Sequence, residues 1–211
     1  MVPPGETVLD VGTDHGHVLI ELVRRKIIPS GTGSDVREGP IRAARNNISK
    51  AGLSERIDTI LSDGLRDVPS GVAHTLIMTG MGSAIMKDIL SVDMQKTFSF
   101  DEYVFSPQRD IGGFRTFLAA HDLKITDEEI IKEKVKYYVI IKARKGHMEL
   151  NEFESRYGPL LLKKKPPCLM DFLRSERMRL DGLCREVTGE RIHFIRESLR
   201  MNKEICARLG M

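Results

Sequence analysis

The chain is expected to fold as an α/β protein: a mostly parallel, seven-stranded sheet followed by a C-terminal helical coiled-coil hairpin. Three observations carry that expectation. Short apolar runs alternate with helix-periodic segments between residues 7 and 142, which implies crossover units and a parallel sheet covered on both faces. Several of those runs end in turns bearing glycine or aspartate. Beyond Leu169 strand signals stop, and apolar residues recur at near-heptad spacing.

The elements follow in order. Thr7 to Val11 is a strand ending at Gly12, and Val18 to Ile28 is a helix with Leu19, Ile20, Leu22 and Val23 inward. Ser30 to Asp35 is a glycine-bearing strand, pressed closely against its neighbours. Pro40 to Ala51 is a helix with proline in its first turn and Gly52 at its stop. Arg56 to Leu61 and Thr75 to Met78 are strands ending at Ser62-Asp63-Gly64 and Thr79-Gly80-Met81-Gly82. A helix at 84–91 precedes a fifth strand, Tyr103 to Pro107, and a helix from Gly112 to His121. Lys124 to Lys134 and Lys136 to Lys142 close the sheet as a hairpin. From Leu169 the apolar positions Leu173, Leu180, Leu183, Val187, Ile192, Ile195, Leu199, Cys206 and Leu209 mark a seam broken at Thr188-Gly189, where two antiparallel helices meet.

Composition narrows the class. At 211 residues the chain can bury a proper core. Its longest apolar runs fall far short of the ~20 residues of a membrane-spanning helix, and the N-terminus lacks a signal-peptide pattern. Three cysteines without Cys-x-x-Cys spacing argue against a disulfide framework or a zinc site; a reducing cytoplasm is the expectation, with no metal and no membrane partner. Residues 1–150 hold 20 basic and 21 acidic groups, net -1, and residues 151–211 hold 13 and 9, net +4. A near-neutral Rossmann-like domain over 1–150 thus precedes a basic helical coiled-coil domain over 151–211. The sequence leaves the oligomeric state open between a monomer and a weak dimer.

Three turns carry the chemistry. Asp10-Val-Gly12-Thr-Asp14-His15-Gly16, Asp35-Val36 and Asp63-Gly64 each follow a strand, and in an open α/β sheet all three fall on the edge where ligands bind. A glycine turn admits a ligand to the backbone, a carboxylate after the second strand accepts both ribose hydroxyls, and one after the third accepts from an adenine amino group. A dinucleotide would need G-x-G-x-x-G to hold its pyrophosphate. Here Asp14 occupies the middle glycine's place and Asp10 adds a second carboxylate. Two carboxylates repel pyrophosphate but tolerate the ammonium and sulfonium of S-adenosyl-L-methionine. Asp10, Gly12, Asp14, His15, Gly16, Asp35, Val36, Asp63, Gly64 and Gly80 are the expected cofactor contacts. His15 could equally serve only to fix the turn. His17, His74, His121, His147 and His193 are assigned structural or surface places.

Val8-Leu-Asp-Val-Gly-Thr-Asp-His15, with Ile28-Pro29, Asp35-Val-Arg-Glu-Gly-Pro40, Gly52-Leu-Ser, Ser62-Asp-Gly-Leu65, Gly80-Met-Gly82 and Tyr157-Gly-Pro159, resembles the bacterial tRNA (adenine-22-N1)-methyltransferases. The resemblance implies a class I S-adenosylmethionine-dependent methyltransferase with a C-terminal coiled coil, acting on adenine N1 at tRNA position 22. Two departures accompany it. The family usually has a helical segment of about twenty residues, ~30 Å long, before its first strand, whereas this chain starts almost at the strand; a true lack of that segment would weaken cofactor or tRNA binding. The family also commonly has Gly-Met-Gly-Gly and an Asn after the fifth-strand proline, where Ser83 and Gln108 stand here.

Adenine N1 carries a lone pair at neutral pH, so positioning rather than a general base should supply most of the acceleration. Asp14, which either binds the methionyl ammonium or faces the base, and the loops containing Gly80, Met81 and Gln108 are the catalytic candidates; Met81 could equally pack on the sheet. N1 lies on the pairing edge, so the nucleotide must be unstacked, and binding must come from phosphates. Lys163, Lys164, Lys165, Arg174 and Arg177 are the expected tRNA contacts, although interleaved Glu176, Asp181, Glu186 and Glu190 also suit a solvated face. The competing readings are a non-catalytic RNA-binding or dimerisation module and a methyltransferase for another RNA or a small molecule.

Overall fold

The computed structural model describes all of residues 1–211. It contains β1 (Val8–Val11), α1 (His17–Arg24), β2 (Gly31–Asp35), α2 (Glu38–Lys50), β3 (Ile57–Leu61), β4 (Thr75–Thr79), α3 (Ser83–Val92), α4 (Met94–Thr97), β5 (Glu102–Ser106), α5 (Ile111–Ala120), β6 (Leu123–Glu133), β7 (Lys136–Lys145), α6 (Glu152–Tyr157), α7 (Pro159–Lys164), α8 (Pro167–Glu186) and α9 (Arg191–Arg208). The sheet order is β3-β2-β1-β4-β5-β7-β6. The first five strands pair in parallel, and β7 runs antiparallel between β5 and β6. Strand order reverses between β1 and β4, which opens a crevice at their carboxyl ends.

Strand periodicity distributes the core to two faces. Leu76 and Met78 of β4 join Phe105, Phe114, Met86 and Leu90 on one face, while Ile77 joins Val8, Leu19, Val23, Ala44 and Ile48 on the other. The glycines of β2 are explained by that second face. A Cβ at Gly31 would stand 2.7 Å from Leu19 Cδ2, and one at Gly33 would stand 2.8 Å from Thr13. Helix α1 and the β1 turn therefore rest directly on the β2 backbone.

Some boundaries differ from the sequence-based expectation. Helix α2 begins at Glu38, two residues before Pro40, because backbone N–H groups in the first turn have no intrahelical acceptor and a proline there costs none. The short α4 was not expected; the Asp93 carboxylate caps it by accepting from Lys96 N at 2.8 Å. Helices α6 and α7 were likewise missed, although Asn151 and Glu154 form a full capping box, a signature visible as Asn-x-x-Glu.

Residues 151–211 pack into the same core as the sheet. Phe153, Tyr157, Leu161, Leu169, Leu173 and Ile205 are continuous with Phe114, Ile130 and Val139. Beneath them Arg115 Nε donates to Glu128 Oε1 at 2.7 Å, both side chains being fully buried. The other Glu128 oxygen accepts the Leu160 N–H at 2.9 Å, and Arg115 Nη1 donates to the carbonyls of Ser155 and Arg156. The α8–α9 seam is less apolar than expected. Leu173, Leu180 and Cys206 are buried as expected, but Ser198 and Asn202 are buried with them, Asn202 Nδ2 donating to Leu173 O and to Glu176 Oε2, whereas Leu183, Val187, Ile192, Ile195 and Leu199 are only half-buried. No helix is long and apolar enough to cross a membrane, and all three cysteines are free thiols.

Candidate functional site

A cleft of about 670 Å3 opens at the carboxyl ends of β1, β2, β3 and β4. The three turns expected to carry the chemistry meet there. The β1 turn is built by Gly12, at φ +78°, and closed by two N–H bonds, from Gly12 and Thr13, to Ser34 O. Asp14 adopts φ +49°, a left-handed conformation that aspartate tolerates better than most residues, and that is how an aspartate can stand in a glycine's place. Gly16, at φ +73°, then starts α1.

The charged groups differ in burial. Asp10 is 2% exposed and accepts from Thr13 Oγ1 at 2.8 Å. Burial pushes its carboxyl up to about 6, the Thr13 bond holding it below the value burial alone would set. Asp35 is also buried; its Oδ1 accepts from Arg37 N at 3.0 Å and stands 3.5 Å from Arg37 Nε. Asp14 and His15 are exposed and lie 3.6 Å apart. Asp63 is exposed and paired with Arg66 at 2.8 Å, so its carboxylate already has a partner at the cleft.

Val36, Gly64, Gly80 and Met81 line the cleft. Met81 also lies over the β1 turn: a Cβ on Gly12 would fall 2.6 Å from its Cε. Gln108 is outside the lining. Its backbone N–H donates to Met81 O at 3.1 Å, so it braces the loop beside the cleft. Ser83 is buried at the start of α3, 3.4 Å from Asp110 Oδ2, and Lys87 reaches the same carboxylate at 3.0 Å. The Ser83 hydroxyl and the Gln108 backbone thus help fasten the loop after β4 to the loop after β5.

Several lining residues escaped the sequence reading. His17, assigned a structural or surface place, lines the cleft and stacks on His15 with ring centroids 5.7 Å apart; its position one residue past Gly16 was the available signal. Thr13 and Arg37 belong to the same turns, and Val18 to the first turn of α1. Ile85, Asp88 and Ile89 line the opposite wall, and their i, i+3, i+4 spacing puts them on one face of α3.

The expected nucleic-acid residues are separate from the cleft. Lys163 and Lys165 are exposed at the end of α7. Lys164 bonds Asp127 and the Glu128 carbonyl, which commits it to holding α7 on β6. Arg174 is exposed, 3.7 Å from Asp171, and Arg177 is exposed one turn on.

A 3-2-1-4-5-7-6 sheet with β7 reversed, and an acidic, glycine-turned cleft at its switch point, define the class I methyltransferase fold. The comparisons agree: the family described as "Methyltransferase domain" matches residues 1–141, and the chain belongs to it. A Bacillus subtilis protein named tRNA (adenine(22)-N(1))-methyltransferase is 26% identical over 145 residues, covering 69% of this chain and 61% of the relative. A Streptococcus pneumoniae protein provisionally described as a tRNA (m1A22) methyltransferase has a crystal structure with TM-score 0.91 and 28% identity, covering 97% of this chain and 94% of that one. A second structure of it, in complex with S-adenosyl-L-methionine, gives TM-score 0.89 at 29% identity over the same shares.

Proposed function

We propose that this protein transfers the methyl group of S-adenosyl-L-methionine to N1 of the adenine at tRNA position 22. The observation that carries the reading is the acidic cleft at the β1/β4 switch point, in a chain similar along nearly its whole length to proteins described with that activity. Five aspartates, Asp10, Asp14, Asp35, Asp63 and Asp88, line it against one arginine, Arg37. That balance suits a ligand with a sulfonium and an ammonium and opposes a pyrophosphate. The volume is within the range of ~300–1,000 Å3 usual for ligand sites, and Gly12 leaves the backbone of the lining without a side chain; Gly16, expected as a cofactor contact, instead lies outside the lining and faces Ala44 and Ile48 of α2.

The residues divide the work. Asp35 has one oxygen committed to Arg37, which leaves the other for the ribose hydroxyls. Val36, Ile85 and Ile89 offer apolar walls to the adenine, with Asp63 and Gly64 at its amino edge. Asp10, held by Thr13, and Asp14 face the methionyl ammonium, and the amino end of α1 meets the methionyl carboxylate. The cofactor supplies an electrophilic methyl group on a positively charged sulfur. The protein's part is to hold adenine N1 in line with it, which needs no base because N1 is unprotonated at neutral pH. The Met81 carbonyl is occupied by Gln108 N–H, so the Gly80 carbonyl or the Gln108 side chain accepts from the adenine amino group. Lys163, Lys165, Arg174 and Arg177 bind phosphates, and the cytoplasm, where tRNA is modified, is the setting.

The test is methyl incorporation from labelled S-adenosyl-L-methionine into unmodified tRNA with adenine or guanine at position 22. Only the adenine tRNA should be methylated. Equal incorporation into both would remove the site assignment, and no incorporation with intact cofactor binding would favour a non-catalytic module.

A further inference from the structure

The β6–β7 hairpin is longer than the sheet needs. Phe105, one residue from the end of β5, pairs with Ile141, yet β7 begins at Lys136 and stays paired with β6 down to Glu133 and Lys136. Because β7 runs antiparallel to β5, its first residues project past the carboxyl edge of the parallel strands, the edge that bears the cleft. Four residues of β7 beyond Ser106 reach about 14 Å at ~3.4 Å per residue.

The projecting tip is basic. It presents Lys132, Lys134 and Lys136 against one carboxylate of its own, Glu133, with Val135 87% exposed between the last two. Lys132 is held, 5.1 Å from the Tyr137 ring centroid and 3.9 Å from Asp171, while Lys134 and Lys136 make no ion pair. Lys134 sits at φ +54° in the two-residue turn, where Asn or Gly would be easier to accommodate. The tip is also braced on α8: the Tyr137 hydroxyl is 3.2 Å from Ser175 Oγ and its ring meets Phe172 edge-on at 5.3 Å. It therefore has a fixed place relative to the exposed Arg174 and Arg177 on the same helix.

We propose that the β6–β7 tip is a second phosphate-binding element for the RNA substrate, with Lys134 and Lys136 gripping the backbone on the cleft edge while the helical hairpin holds another stretch. This rests on the tRNA reading above. Two contact points on one rigid body fix the direction in which the nucleic acid crosses the cleft, which a helical hairpin alone would leave free to pivot.

The test uses the full chain carrying Lys134→Ala and Lys136→Ala, with Arg24→Ala and Lys50→Ala as a control that removes two exposed, unpaired charges at the other edge of the sheet. Binding of unmodified tRNA is followed by fluorescence anisotropy across a salt series, and cofactor affinity by calorimetry. The tip variant should bind tRNA about tenfold more weakly and lose about 1.8 from the slope of log affinity against log salt, at ~0.9 per phosphate contact. Its cofactor affinity should match the wild type, its KM for tRNA should rise, and kcat should hold at saturating tRNA. Wild-type tRNA affinity and slope in the tip variant would overturn the inference alone, as would an equal loss in the control. Failure of the unaltered protein to bind tRNA would overturn the function proposed above and this inference with it.

Discussion

Thr13 Oγ1 donates to Asp10 Oδ2 at 2.8 Å, tying a buried strand carboxylate to the turn that wraps the cleft. The carboxyl titrates near 6 in the fold and near ~3.9 when unfolded, so the folded state holds the proton more tightly. This group's contribution to stability is therefore fullest below pH 4, falls as pH rises from about 4 to about 6, and is level above that, the loss being on the order of 3 kcal/mol. Asp10→Asn should remove this component, so the variant's stability relative to wild type should grow over that window. Urea titrations of both proteins at pH 4.5 and 7 check it, and a constant difference would contradict it. A cationic ligand favours the ionised carboxylate, so S-adenosyl-L-methionine should bind more tightly at pH 7 than at pH 5.

Gly12 and Met81 form a second linked pair. An alanine at Gly12 would suffer both the left-handed backbone, costing about 1–2 kcal/mol, and a contact 2.6 Å from Met81 Cε. The thioether end can swing away, but only at the expense of the cleft it lines. Gly12→Ala should therefore lower cofactor affinity by more than the stability loss accounts for, and adding Met81→Ala should recover part of that affinity. Calorimetry on the single and double variants reads the difference; no recovery would place the damage in the backbone alone.

The two ribose and adenine candidates should separate in size. Asp35 is buried with one oxygen free, whereas Asp63 is exposed and paired to Arg66. A hydrogen bond to a charged group contributes about 1.5–3 kcal/mol, so Asp35→Ala should weaken cofactor binding roughly 10- to 150-fold. Asp63→Ala should cost clearly less. Equal losses would show that Asp63 leaves Arg66 when the ligand binds.

What the sequence made legible was local. Strand-ending turns such as Asp10 to Gly16 announce their place because glycine and aspartate are demanded by the backbone there, and the alternation of Leu76, Ile77 and Met78 announces a strand buried on both faces. The rest depends on distant partners. Arg115 and Glu128 lie thirteen residues apart on different elements and look like ordinary surface charges in the sequence. Lys164 reads as one of a basic triplet until Asp127 is found beneath it. Asn202 is buried in the seam because its amide donates across the helix pair to Leu173 O and Glu176 Oε2, partners twenty-nine and twenty-six residues away.

The Arg115–Glu128 pair should behave as a buried charge pair. Removing one partner leaves the other unpaired, so Glu128→Ala should destabilise by about 3–5 kcal/mol, and Gly158→Ala should also destabilise, since a Cβ there falls 2.6 Å from Glu128 Oε2. Replacing both ions, with Arg115→Met and Glu128→Leu, should cost less than the single change. Chemical denaturation of the three variants measures this, and a double variant worse than Glu128→Ala would contradict it. The same packing means that deleting residues 151–211 would uncover Phe114 and its neighbours, so substitutions at Lys163, Arg174 and Arg177 are the cleaner probe of tRNA binding.

The central claim is methylation of one atom at one position. Primer extension on unmodified tRNA, before and after incubation with the protein and S-adenosyl-L-methionine, reads that position directly, because a methyl on N1 blocks pairing. The expected result is a new stop at adenine 22, missing when that base is guanine. A stop elsewhere, or an unchanged extension pattern despite measurable cofactor binding, would contradict the account.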